Sequence, residues 1–480
     1  MHWIDAGIFV FYMISLLGVG LWFMRKNAST DDYFVGGRGM SAGHIGLSVV
    51  ATDVGGGFSI GLGGLGFVMG LSGSWMLFTG LLGAWLAAVL LIPRVYGLGR
   101  EHSLLTFSQL LGRFFDGRVA LLAGVICVVG YLGFTSSQLL AGAKLASAAV
   151  EGLDLRTALL VMGTVTVLYT VLGGMKAVVY TDTVQWAVLI GGLAFVGLPM
   201  AFSAVGGWEG VRSTVDPDML RLDNITGVQL LNWAVTIVPI WFVGMTLYQR
   251  IYASRSEQEA RKAWFIAGLF EWPVMAFLGV ALGLLAHVGA EQGLLDAVID
   301  PSTAIDPEMG LPLLLRAILP VGLLGLMLSV YFSAILSTAD SCLMAASGNL
   351  LTDIVERFRP ARSMRNTLRL SQLFTLGLGV LAMALAASME NVLALMLHSY
   401  AFMVSGLLVP LVGALFFGMR DARAALLAMV VGGGTTVGLT LLDVHLPFGL
   451  DANIFGISAA TLVALLFTRL APSVPPRPIA

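Results

Sequence analysis

The sequence predicts an all-α integral membrane protein with about thirteen transmembrane helices, and three observations carry that prediction. Hydrophobic residues make up 58% of the 480 and charged residues only 11%, where a soluble domain carries roughly 25% charged. Apolar stretches of the ~20 residues needed to cross a bilayer recur along the whole chain, and mean hydropathy is +0.90. Basic residues gather in every second gap between those stretches. A soluble fold of this length needs a polar surface that these residues do not supply, so the solvent is lipid.

The first stretch, residues 3–23, is long enough to span and no small-residue cleavage site follows it, which marks a span rather than a removable leader. Further stretches lie at 42–70, 73–97, 118–149, 156–173 and 177–204. The rest lie at 228–249, 263–288, 312–350, 366–388, 391–418, 423–442 and 448–469. The ninth, 312–350, has room for an interfacial turn or a strong tilt. With the N-terminus outside, 21 of the 26 Lys+Arg fall in cytoplasmic segments, among them Arg25, Lys26, Arg100, Arg250, Arg255 and Arg365. The opposite gaps are acidic: Asp216, Asp218 and Asp223 in one, Glu291, Asp296, Asp300, Asp306 and Glu308 in another. A miscounted helix would flip every later gap, so the asymmetry supports thirteen spans, N-out and C-in, in a multi-pass protein of the cell membrane. Residues 1–470 read as one transmembrane domain, and the Pro-rich tail 471–480 as disordered and cytoplasmic.

Several chemistries are excluded. Net charge is -2, which points to no nucleic-acid partner. Two cysteines, Cys127 and Cys342, make neither a zinc site nor a disulfide framework. Gly57-Phe58-Ser59-Ile60-Gly61 matches a nucleophile elbow, and the run from Gly61 to Gly66 matches a dinucleotide fingerprint. Both need a strand–turn–helix setting that a helical membrane chain lacks. The glycines instead thin a helix so that a neighbour, or unwound backbone, can approach. The chain is therefore expected not to be an enzyme.

Ionisable groups inside spans are costly and mark a pathway or site; here they are Asp53, Asp182, Glu271 and Asp340, with Lys144 near a span end where it can snorkel. Asp53 precedes three glycines, Gly55, Gly56 and Gly57, which make poor helix and a good unwound segment. Unwinding frees backbone carbonyls, hard oxygen ligands suited to an alkali cation, and such backbone is tolerated at membrane depth where it lines a cavity. In the ninth stretch Ser337, Asp340 and Ser341 share a helix face, with Thr338 beside them and Ala334 one turn before. The seventh carries Pro239 and Gly244 around Trp241 and Phe242. Two interrupted helices five spans apart in opposite orientation suit an inverted repeat of five helices, about 42–205 and 228–418, with peripheral helices at 3–23, 423–442 and 448–469.

The run Gly173-Gly174-Met175-Lys176-Ala177-Val178-Val179-Tyr180-Thr181-Asp182-Thr183-Val184-Gln185 resembles the signature of the sodium:solute symporter family, which includes sodium/proline and sodium/pantothenate carriers. Asp32-Tyr33-Phe34-Val35-Gly36-Gly37-Arg38, residues 337–353 and Tyr248-Gln249-Arg250 are similar to family segments and fall in family order. The resemblance implies a LeuT-like fold and a main sodium site at the positions matching Ala51, Val54, Ala334, Ser337 and Thr338, with Asp53 as the carboxylate of the proline-type branch. It implies a second cation site at Asp182, Asp340 and Ser341; a carboxylate at 340 departs from the pattern and leaves open both the sodium stoichiometry and substitution by a proton. For the solute, the matching positions are Phe134, Gln138 and Trp241, where ordinary packing also accounts for the two aromatics.

The expected function is sodium-coupled import of a small organic solute, an amino acid such as proline or a carboxylate such as pantothenate, by alternating access across a lipid bilayer. A proton-coupled transporter of the same fold, a transporter-like sensor module and a channel are the alternatives.

Overall fold

The computed structural model describes residues 2–24, 38–302, 304–358 and 364–470. The Asp32-to-Gly37 part of the family-like segment and the tail 471–480 lie outside the described residues. In chain order the helices are α1 (Trp3–Met24), α2 (Ala42–Met69), α3 (Trp75–Leu86), α4 (Ile92–Glu101), α5 (Phe107–Phe114), α6 (Gly117–Ala149), α7 (Leu155–Gly192), α8 (Leu198–Ala204) and α9 (Gly207–Thr214). They continue with α10 (Gly227–Val243), α11 (Met245–Ala253), α12 (Glu257–Leu269), α13 (Ala276–Glu291), α14 (Pro307–Ile318) and α15 (Leu323–Asn349). The last four are α16 (Met364–Ala386), α17 (Val392–Phe416), α18 (Ala422–Leu441) and α19 (Ala452–Leu470).

Among the described residues nine helices are long and apolar enough to cross a membrane, ten if the bent pair Gly227–Val243 and Met245–Ala253 is one span. Shorter apolar helices cover Trp3–Val19, Ala42–Thr52 and Ala452–Thr468. Side chains such as Phe195, Leu160, Val161, Leu381 and Val430 stand exposed on the outside of the bundle. A belt of that kind would drive aggregation in water and is the required surface in lipid.

Two helix boundaries differ from the sequence reading. The apolar stretch 312–350 is two helices, because Pro320 and a positive φ of 89° at Gly322 interrupt it between α14 and α15. Residues 155–192 are helical throughout, across the expected gap at 174–176; Leu155–Leu172 is span-like within that helix, and Gln185–Ala204 is span-like and continues past its end.

α15 is the centre of the bundle. Every residue of it except Leu323 and Leu326 is buried, as a helix apolar on all sides requires. Its hydroxyls and Asp340 therefore face other helices, not lipid. α6 packs along one side: a Cβ added at Gly142 would come within 3.2 Å of the Phe332 ring of α15.

Lys144 does not snorkel. Its side chain is 3% exposed and its Nζ lies 2.6 Å from Asp306 and 2.7 Å from Glu308. The Glu308 carboxylate also accepts the backbone N–H groups of Val392 and Leu393, 3.0 Å each, at the N-terminus of α17, where the helix dipole favours a negative charge. One carboxylate thus ties α14 to α6 and α17. Lys144→Met leaves Glu308 buried with only the helix end as partner; breaking a buried pair from one side costs about 3–5 kcal/mol. We expect a lower thermal midpoint for purified Lys144→Met than for wild type, and a smaller loss in Lys144→Arg.

Candidate functional site

α2 is helical on both sides of Gly55, whose φ of 14° and ψ of -166° leave the helical region. A helix leaves carbonyls of its last turn without i+4 partners, and at this break the Ala51 carbonyl is turned to side chains of α15. The glycines are also needed for space. A Cβ added at Gly55 would sit 1.8 Å from Thr338 Oγ1, and one at Gly56 would sit 1.9 Å from Ile335 Cγ1. Backbone of α2 therefore lies directly on the side chains of α15.

Oxygens converge at that contact. Ser337 Oγ is 3.3 Å from the Ala51 carbonyl oxygen and 2.9 Å from that of Ala334. Thr338 Oγ1 is 2.9 Å from the Ala51 oxygen and 3.4 Å from that of Ala334. All four residues are buried. Two hydroxyls hold only two protons between them, so the carbonyls have acceptor capacity left over. The set is uncharged, all-oxygen and built from two helices, which suits a weakly polarising monovalent cation. Asp53 and Val54 lie on α2 at the break, but their side chains fall outside what the structure describes.

Within a turn along α15, Asp182, Asp340 and Ser341 come together around a residue that the loop-charge reading put in a cytoplasmic segment. Arg250, at the end of α11, is fully buried. Its guanidinium donates to Ser48 Oγ at 3.1 and 2.9 Å, to Ser341 Oγ at 2.9 Å and to Thr52 Oγ1. It stands 3.6 Å from Asp182 Oδ2, which also accepts Ser48 Oγ at 2.6 Å. Asp182 Oδ1 is buried without a hydrogen-bond partner among the described residues. Thr52 Oγ1 and Ser341 Oγ are 3.1 Å apart, and Ser341 Oγ donates to Asp340 Oδ1 at 3.4 Å. The correction has a plain cause: a guanidinium can stay at depth when a carboxylate and three hydroxyls from other helices surround it, and position along the chain does not reveal those partners.

The aromatic candidates each pack against a different neighbour. Phe134 of α6 meets Tyr400 of α17 edge-on, with ring centroids 4.8 Å apart. Gln138, one turn on, is buried and donates to Ser137 Oγ at 3.2 Å. Trp241 of α10 packs between α3 and α12: its ring centroid is 6.4 Å from that of Trp264, and a Cβ on Gly83 would reach its Cδ1 at 2.4 Å. The break in the second interrupted helix falls at Gly244, extended at φ -67° and ψ 117°, where the chain bends by 42°. Tyr131 of α6 fills it: its hydroxyl accepts the Thr246 N–H at 3.2 Å and is 3.2 Å from Thr246 Oγ1. Glu271 of the α12–α13 junction is buried against Gly80 of α3, where a Cβ would come 2.0 Å from its Oε2.

A lipid-embedded helical bundle with two interrupted helices, one of them presenting a backbone carbonyl to a hydroxyl-bearing central helix, defines a multi-pass membrane transporter. The chain belongs to the sodium:solute symporter family, whose model matches residues 33–432. Its sequence is 28% identical over 434 residues to the high-affinity proline transporter PutP of Bacillus subtilis, covering 88% of this chain and 89% of that one. It is 26% identical over 478 residues to the sodium/pantothenate symporter of Escherichia coli, covering 97% and 96%. The fold is similar to that of a Na+-coupled sialic acid symporter solved in a substrate-bound outward-open state, with a TM-score of 0.78, 18% identity and 98% of each chain covered. The chain is a transporter of solutes with sodium and not an enzyme.

Proposed function

We propose that this chain imports a small organic solute together with sodium, and that the cation is held between the α2 break and α15. The reading has thirteen spans, N-out and C-in, in the cell membrane, with a core of two five-helix repeats at about 42–205 and 228–418. The observation that carries it is the convergence of the Ala51 and Ala334 carbonyls with Ser337 Oγ and Thr338 Oγ1 at the Gly55 break. Val54 and Asp53 would complete that site from the α2 side.

The ligands come from two different helices, so a cation there pulls the α2 break onto α15. Solute affinity rises with it if the solute sits on the same break, beside Phe134, Gln138 and Trp241. The proline and pantothenate carriers among the relatives make an amino acid such as proline, or a carboxylate such as pantothenate, the first solutes to try.

Intrinsic tryptophan fluorescence of the purified protein, titrated with sodium against potassium at constant ionic strength, tests the cation site without knowledge of the solute. A saturable response to sodium alone is expected. Ser337→Ala and Thr338→Ala each remove one oxygen ligand of a charged group, worth ~1.5–3 kcal/mol, so half-saturation should rise by about 10- to 100-fold. Wild-type titrations in both variants would sink the assignment.

One observation favours a second reading. The cluster of Asp182, Asp340 and Arg250 holds two carboxylates and one guanidinium, so a second cation, sodium or a proton, has a place there with Ser341 as a further ligand. Uptake driven by a pH gradient in sodium-free proteoliposomes is the outcome that would favour the proton.

A further inference from the structure

α1 precedes the two repeats, and none of its residues belongs to the cation or solute positions argued above. Its inward face is nevertheless polar at two points. Asp5 is 1% exposed, and its Oδ1 accepts the backbone N–H groups of Gly322 at 2.7 Å and Gly325 at 2.8 Å, which caps the N-terminus of α15. The approach is close: a Cβ on Gly325 would sit 2.5 Å from the Asp5 Cα. One turn on, the Phe9 ring meets the edge of Phe332, centroids 5.9 Å apart. After another turn, the Tyr12 hydroxyl is hydrogen-bonded to Ser333 Oγ and accepts Gln185 Nε2 at 3.2 Å.

Asp5, Phe9 and Tyr12 are spaced i, i+4, i+7, a single helix face, while Val10, Phe11 and Ile14 are exposed on the other side. The contacts of that face fall at functional neighbours. Ser333 directly precedes Ala334, whose carbonyl belongs to the candidate sodium site. Gln185 lies three residues beyond Asp182 on α7, close to the same face. Tyr12 therefore bridges the two helices that carry the cation candidates, at the level of the ligands.

We infer that α1 is a positioning element for the cation site, with Asp5 fixing the end of α15 and Tyr12 fixing its rotation about its own axis. An α-helix turns 100° per residue, so a modest rotation at Ser333 swings the Ala334 carbonyl and the Ser337 hydroxyl together away from the Ala51 oxygen. Tyr12 touches no ion; it acts through Ser333 and Gln185. This rests on the sodium-site reading proposed above.

The test uses the full-length protein and sodium alone as the probe. Tyr12→Phe deletes one oxygen and keeps the ring, so packing is retained. The half-saturating sodium concentration in the fluorescence titration should rise by about five-fold, the scale of one hydrogen bond. A merely structural tyrosine would lower the thermal midpoint in sodium-free buffer and leave the sodium titration at its wild-type value. Ser333→Ala should give the same shift, and the double variant no more than either single one. Ser337→Ala is run beside them. If it weakens sodium binding by the expected ~10-fold or more while Tyr12→Phe and Ser333→Ala both titrate like wild type, the positioning role is wrong and the sodium site stands. If Ser337→Ala leaves the response intact, the sodium-site reading falls and this inference falls with it.

Discussion

Arg250→Met is expected to yield little or no folded protein. The substitution keeps much of the aliphatic volume and removes a fully buried guanidinium that donates to Ser48, Thr52 and Ser341 and faces Asp182. Asp182, which is fully buried, then keeps Ser48 Oγ at 2.6 Å as its hydrogen-bond donor and loses its countercharge. Breaking a buried pair by deleting one partner costs about 3–5 kcal/mol, a large share of the roughly 5–15 kcal/mol by which proteins are stable. Asp182→Asn combined with Arg250→Met removes both charges of the pair and should recover part of the loss, since buried pairs can often be replaced by neutral groups of similar volume. Size-exclusion profiles and thermal midpoints of the single and double variants in detergent give the answer. A monodisperse Arg250→Met with the wild-type midpoint would show that the pair carries no stability.

Gly55→Ala is expected to abolish the sodium response. The added methyl would stand 1.8 Å from Thr338 Oγ1 and 2.6 Å from its Cβ, distances at which something must shift. Neither side yields easily: Thr338 is β-branched with a stiff χ1, and α15 is packed on nearly all sides. The break in α2 must draw back, which separates the Ala51 carbonyl from both hydroxyls at once. Overpacking usually costs ~1–3 kcal/mol in stability, yet the functional loss should be far larger, because four oxygens lose their common centre. Gly55→Ala with Thr338→Ser frees χ1, because a serine without the γ-methyl can rotate its hydroxyl away from the added Cβ that Thr338 Oγ1 would meet at 1.8 Å. Restored sodium binding in the double variant, measured by the same fluorescence titration, would tie the loss to space. Wild-type sodium titration in Gly55→Ala alone would mean that the close approach of α2 and α15 has no part in binding.

The membrane class, the break in α2 and the hydroxyl face of α15 were legible because each is a local pattern. Consecutive glycines after Asp53 announce a place where helix is weak, and Ser337, Asp340 and Ser341 declare their shared side by spacing alone. The end of α14 was not legible from hydropathy, since Pro320 and Gly322 sit inside an apolar run that looks continuous. Arg250 was misplaced for a different reason. A basic residue just past an apolar stretch belongs to a loop on any count of loop charge, and its true partners, Ser48, Asp182 and Ser341, lie 202, 68 and 91 residues away in sequence. The sequence signal that could have found it was the family-like Tyr248-Gln249-Arg250 run taken together with the intramembrane carboxylates, which needed a cation among them. Lys144 followed the same logic: Asp306 and Glu308 looked like solvated loop acids until α14 folded back over α6.

The phenol of Tyr131 in the Gly244 gap has a consequence for how the bend between α10 and α11 behaves over time. A bare interruption in a helix is a soft joint, whose exposed amide exchanges readily with any water that reaches it. Here the Thr246 amide is already engaged by a side chain from another helix, so the joint has a seat, and its resting angle is set by where α6 stands. Slow hydrogen exchange at a formal helix break, and an angle inherited from a neighbour instead of from local backbone preference, are the marks of a hinge that moves only when its neighbour does.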